Sequence, residues 1–174
     1  MGQTVILRRA GIGDVSAVDQ LLIQSYPRLL SRDYAPSIMV MAVPLLCRAR
    51  PELLRSGRFF LAEASNGTLL AAGGWSLQPG RGAKGQEGAQ EGGHMGSVRH
   101  VATHPGVARQ GIGRTLMEKV MADARGEGMG WLDCLSTRTA VPFYRALGFR
   151  ELYPTEITLR PGIVFPAIRM MRDL

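Results

Sequence analysis

Val101-Ala102-Thr103-His104-Pro105-Gly106-Val107-Ala108-Arg109-Gln110-Gly111-Ile112-Gly113-Arg114 runs from an extended segment, through a turn with glycine at two positions, into a helix. The first N–H groups of a helix have no partners inside it and stand at the positive end of its dipole. Glycine lets an anion approach that backbone, and Arg109 and Arg114 add charge beside it. A phosphate or pyrophosphate cradle follows from this pattern. Two glycines alone leave a second reading open, a helix start that uses them only for tight packing.

The flanking chain sets this segment in a mixed α/β pattern. Val5–Arg9 reads as a strand, followed by a helix capped by Asp14 and ended by Pro27, near Tyr26. Pro36 and Ser37 open a second helix with Pro44 inside it, and Pro51–Arg55 reads as a short helical turn. Arg58–Ala64 and Thr68–Leu77 form a hairpin around Asn66-Gly67, and Gly73-Gly74 marks a bulge or a close backbone approach. Gln78–Gly96 is rich in glycine and nearly devoid of large aliphatic side chains, so it reads as a flexible loop within one domain, 1–174. Ser97–Thr103 is the next strand. Gly111–Arg125 is a helix with Ile112, Leu116, Val120 and Ala124 on one stripe. Trp131–Ser136 is a strand, Ala140–Leu147 a short helix, and Phe149–Thr158 and Ile163–Met171 a final strand pair. The order predicts an α/β (α+β) domain: a mostly antiparallel central sheet of about seven strands flanked by about four helices.

Composition narrows the function. The 174 residues are 45% hydrophobic and 20% charged, with a net charge of +7, which suits one globular domain with an anionic ligand. The basic residues are scattered and not interleaved with aromatics, so the charge does not point to nucleic acid. No apolar run is long enough for a membrane span and no signal peptide is evident, so a cytoplasmic location is expected. Cys47 and Cys134 are too few for a disulfide framework and read as buried thiols. Gly11-Ile12-Gly13-Asp14-Val15-Ser16 imitates a dinucleotide fingerprint. It has Ser16 at the third glycine position, Asp14 inside the loop, and no acidic strand end downstream for a ribose. His94, His100 and His104 lack metal-ligand spacing and a completing carboxylate or thiolate, so no metal is expected.

Downstream of the glycine turn and its helix stands Thr137-Arg138-Thr139-Ala140-Val141-Pro142-Phe143-Tyr144-Arg145-Ala146-Leu147-Gly148-Phe149. The glycine-loop helix, a strand, then Ala-Val-Pro-Phe-Tyr-Arg-Ala-Leu-Gly-Phe resembles the GNAT superfamily of N-acetyltransferases, specifically so from Val98 to Phe149. The resemblance implies a V-shaped splay between the fourth and fifth strands, with acetyl-CoA as co-substrate in that gap. It implies that Val101, Ala102 and Thr103 face the pantetheine arm, and that Arg109, Gln110, Gly111, Ile112, Gly113 and Arg114 hold the pyrophosphate. Thr137, Ala140 and Phe143 would also border the cofactor. Tyr144 would act as general acid toward the departing thiolate. Read without the family, Tyr144 is a core aromatic beside Phe143 and Phe149.

Departures from the family pattern are visible. Ala108 stands where an Arg or Gln usually precedes Gly111 by three residues, and Thr137 stands where an Asn is common. The family's glutamate base has no counterpart between Ser97 and Thr103, leaving His100, His94 and Glu63 as candidates. Strand alternation puts Ser97, Arg99, Val101 and Thr103 on one face and His100 on the other. The acceptor is expected between the first two helices and the glycine-rich loop, near Tyr26, Arg28, Arg32 and Tyr34. The implied function is acetyl transfer to a small-molecule or peptide amine, in a protein that can be a homodimer. The alternative is a non-catalytic acyl-CoA-binding sensor or interaction module on the same fold.

Overall fold

A computed structural model describes residues 4–77 and 94–174. Most of the glycine-rich loop expected at 78–96 therefore lies outside the described residues. Seven strands form one sheet: β1 (Val5–Arg9), β2 (Phe59–Ala64), β3 (Leu69–Leu77), β4 (His94–Thr103), β5 (Met129–Ser136), β6 (Arg150–Arg160) and β7 (Ile163–Asp173). Their order is β1-β2-β3-β4-β5-β7-β6, antiparallel throughout except for the parallel pair β4–β5. Among the described residues five α-helices cover the sheet, against about four expected: α1 (Val15–Leu30), α2 (Pro36–Leu46), α3 (Pro51–Arg55), α4 (Ile112–Gly126) and α5 (Val141–Ala146). No helix among the described residues is long and apolar enough to cross a membrane.

Each face of the sheet has its own core. On one side Leu116, Met117 and Val120 of α4 meet Phe60, Trp75, Val98, Leu132 and Cys134, joined by Tyr144 and Phe149. On the other, Val18, Leu21 and Leu22 of α1 and Leu53 and Leu54 of α3 cover Phe59, Leu61, Ala72, Ala102 and Phe165. The 3.6-residue stripe read in α4 is the buried stripe observed. Each Leu, Met or Val removed from water there contributes roughly 1.5–3 kcal/mol. The Trp75 indole also donates to Asp123 of α4 at 2.9 Å, and Arg9 pairs with the same carboxylate at 2.8 Å.

Several expectations are corrected. α1 continues through Pro27 to Leu30. Proline removes one helical hydrogen bond, here to the carbonyl of Ile23, whose exposed position leaves that oxygen open to water. Burial of Leu30 against the second core rewards the extra turn. Asp14 stands at the start of α1 without capping it through its side chain. Its carboxylate instead accepts the Gly11 N–H at 2.8 Å and pairs with Arg8. His94, Met95 and Gly96, expected in the loop, belong to β4. A Cβ on Gly96 would stand 2.8 Å from both the Trp75 ring and Leu132, so this glycine serves packing rather than flexibility.

The paired glycines of β3 do mark a bulge, between Ala72 and Gly74. A Cβ at Gly74 would lie 2.7 Å from the Phe59 Cα, and one at Gly73 would lie 2.9 Å from Val101 Cγ2. Gly74→Ala should therefore destabilise the fold by about 3 kcal/mol, a backbone overpacking that cannot relax by rotamer change. Chemical denaturation checks this, and an unchanged midpoint would contradict the packing described.

Candidate active site at the fork of the sheet

β4 and β5 pair only from His94–Met129 to Ser97–Asp133 and then separate. Beyond that fork β4 stays on β3, with Ala102 opposite Ala72 and Thr103 opposite Ala71. β4 bulges at His100, whose φ of 47° is in the left-handed region. The bulge breaks the alternation read from sequence. Val98 and Val101 both pack toward α4, whereas Arg99 reaches Ser76 on the opposite face, Nε to Oγ 2.9 Å. Ser97, Arg99, Val101 and Thr103 therefore do not share one face.

The His104 N–H bonds the Leu70 carbonyl across to β3 at 2.7 Å. By alternation, the backbone groups of Thr103 and Val101 turn away from β3, toward the gap. Two hydroxyls of α1 meet them there: Ser25 donates to the Thr103 carbonyl at 3.0 Å and Tyr26 to the Val101 carbonyl at 3.4 Å. Ala102 does the reverse, since it pairs with Ala72 and buries its methyl under α1. Its side chain is thus on the opposite face from those of Val101 and Thr103.

Tyr144 enters from the other wall. It is 7% exposed and packs edge-on to Phe143 and Phe149, at centroid distances of 5.2 and 5.3 Å. Burial raises its pKa well above the ordinary phenol value, with further upward pushes from the neighbouring Cys134 and Tyr26. The hydroxyl is thus a neutral donor, carried by a ring that is packed as a core aromatic. The same desolvation raises Tyr26.

At the start of α4, Gly111 has φ 82° with open space where a Cβ would stand. Arg109, also left-handed at φ 65°, and Gln110 are exposed beside it. Gly113 differs: a Cβ there would meet Thr103 Oγ1 at 3.0 Å and the Phe143 ring at 3.3 Å. One glycine of the pair leaves the helix start open and the other permits close packing. Ile112 is buried in the core. The Arg114 guanidinium donates to the Ala146 carbonyl at the end of α5, 3.2 Å away. The Thr137 hydroxyl accepts the Ala140 N–H at 3.1 Å and shapes the entry to α5.

The remaining candidates lie elsewhere. Tyr34 is committed within the fold: its hydroxyl donates to the Pro166 carbonyl at 2.9 Å and accepts the Arg138 N–H at 2.8 Å, and its ring stacks on Phe165. Glu63 is paired with Arg8 at 2.7 Å, two strands from β4. His94 is exposed at the paired end of β4, away from the opening fork. His100 stays near the fork, with its pKa lowered from 6.5 to about 4 by burial, then by Arg50 and Arg99. A cavity of about 250 Å³ between Arg138 and the β6–β7 hairpin is lined by neither Tyr144 nor β4.

Residues 55–151 match the family model of the acetyltransferase (GNAT) domain. The chain belongs to the GNAT acetyltransferase family. No curated protein matches it. Among solved structures it is similar to a GCN5-related N-acetyltransferase from Rhodopseudomonas palustris, 16% identical over 100% of this chain and 99% of that one, TM-score 0.76. It is similar to the PaiA N-acetyltransferase of Thermoplasma acidophilum in complex with coenzyme A, at 13% identity, 98% and 99% coverage and TM-score 0.71. A Mycobacterium tuberculosis protein, also in complex with CoA, is 20% identical over 97% and 99% of the chains, TM-score 0.61. The seven-stranded sheet with its parallel β4–β5 pair is the fold of this GNAT family.

The buried histidine makes stability depend on pH. Unfolded, His100 takes up a proton near 6.5; folded, near 4. The unfolded chain therefore binds more protons between those values. Stability is fully present above pH 6.5 and falls by up to about 3 kcal/mol as pH drops through 4. Denaturation of His100→Asn, which tolerates the left-handed backbone, should show a flatter profile over that window. An equally steep profile in the variant would assign the effect to other groups.

Proposed function

We propose that this chain transfers the acetyl group of acetyl-CoA to an amine by direct attack within a ternary complex, with residues 1–174 acting as one domain. The observation that carries the reading is the opening between β4 and β5, with unpaired strand backbone on one wall and the Tyr144 hydroxyl on the other. The N–H groups of Val101 and Thr103 suit a pantetheine arm added as a strand, and the one near Val101 suits the thioester oxygen. The open helix start at Gly111, the free N–H groups of Ile112, Gly113 and Arg114, and the exposed Arg109 and Gln110 suit the pyrophosphate. Phe143, Thr137 and Ala140 would border the pantetheine side.

In the proposed reaction the amine nitrogen bonds to the acetyl carbon and the carbon–sulfur bond breaks. Tyr144 gives its proton to the departing sulfur, and the amine gives up a proton. A neutral His100 can take that proton directly or through water, though burial and two arginines make it a weak base. The acceptor would be a small-molecule or peptide amine entering past Tyr26. The second reading, a non-catalytic acyl-CoA-binding module, is favoured by one feature, the absence of a carboxylate base on β4.

Tyr144→Phe separates the two. Acetylation should fall about a hundredfold in kcat while acetyl-CoA affinity stays constant, as measured by release of free CoA thiol. Undiminished turnover would remove Tyr144 from the chemistry, and absence of turnover in the parent protein across amine classes would favour the binding module.

A further inference from the structure

Among the described residues, the face of the sheet turned toward α1 and α3 carries more positive than negative side chains just below the bulge. At the fork, Asp133 is engaged by the Ser97 hydroxyl and by Arg169, with a 3.2 Å ion pair to the latter. Arg169 is nine-tenths buried. It donates to Tyr153 at 2.7 Å, and its Nε has no hydrogen-bond partner. Arg99 stands on the same face and donates through Nε to Ser76. Its terminal nitrogens have no partner among the described residues. Arg50, at the start of α3, lies close enough to lower the pKa of both Arg99 and His100. Burial is the larger cause for each. Neither Arg50 nor Arg99 forms an ion pair among the described residues.

Arg169 is thus paired with Asp133, Arg99 stands in the field of that carboxylate and of Arg50, and a buried N–H of Arg169 is left unmade. Such an arrangement is costly unless an anion completes it. Arg99 precedes Val101 by two residues, roughly 7 Å along a strand. An anion bound at Arg99 would therefore hold a small molecule with its other end at the gap.

We infer that Arg99, with Arg50 and Arg169, forms a carboxylate-recognising subsite, and that the acceptor is an amine that also bears a carboxylate. The inference rests on the acetyltransferase reading for its amine and on the arginines for its carboxylate. Planar guanidiniums suit a carboxylate through paired, charge-assisted hydrogen bonds.

The test is a panel of amino acids and their amides as acceptors with the full chain, assayed as CoA release. Carboxylate-bearing amines should exceed their amides by about tenfold or more in kcat/KM. Arg99→Gln should abolish that preference through KM, Arg99→Lys should restore part of it, and acetyl-CoA affinity should be unchanged in both. Arg50→Gln, at an exposed position, supplies a second variant and should weaken the preference in the same direction. Equal or better use of the amides, no acetylation of any carboxylate-bearing amine, or a preference untouched in Arg99→Gln would each overturn the subsite. Failure of the acetyltransferase reading itself would appear separately, as absence of CoA release by the parent protein with every amine, the amides included.

Discussion

The structure depends on backbone groups of β4 that leave one neighbour without pairing to the next. Past Ser97, β4 loses contact with β5, and the N–H and C=O groups of Val101 and Thr103 need other partners. Ser25 and Tyr26 on α1 take the two carbonyls. Tyr144 closes the opposite wall from α5. The separation is held from behind by β3, where the bulge between Ala72 and Gly74 and the left-handed His100 bend β4 without breaking its ladder. Those two glycines are tied to the site by contact, since side chains at either would collide with Val101 or Phe59.

The second requirement is a helix start held against that strand. α4 is fixed by its buried stripe and by the Asp123 carboxylate, which meets the Trp75 indole and Arg9. Gly113 lets the first turn approach Thr103 and Phe143, while Gly111 keeps the side facing away from them clear. Close packing and open space are thus divided between two glycines two positions apart. Exposed pairs such as Arg145 with Glu151 contribute little to this frame.

Much of this was legible because turn chemistry and periodicity are local. Asn66-Gly67, the stripe of α4 and the run Phe143–Phe149 place their elements within a residue or two of those observed. The fork itself came from resemblance, because nothing within a strand's own sequence says where its partner leaves. The failures share a cause: long-range packing overrode local signals. Pro27 did not stop α1, because Leu30 still had a core to enter. Gly96 looked like loop, because its closeness to Trp75 and Leu132 involves residues far apart in the chain. Alternation misplaced Arg99 relative to Val101 and Thr103, because the bulge shifts the register by one. Tyr34 looked available, and its two backbone partners at Arg138 and Pro166 lie over a hundred positions away in sequence. Ser25 was visible on the α1 stripe, but only the folded strand reveals the Thr103 carbonyl that it serves.

The central claim is that the fork and the start of α4 form one acetyl-CoA site. Calorimetric titration with acetyl-CoA, with NADH as control, tests it most directly, in the parent protein and in Gly111→Val. The account predicts saturable acetyl-CoA binding that the valine weakens strongly, with no binding of NADH. An absence of acetyl-CoA binding, or equal affinity in Gly111→Val, would contradict it and reduce the glycine turn to a packed helix start.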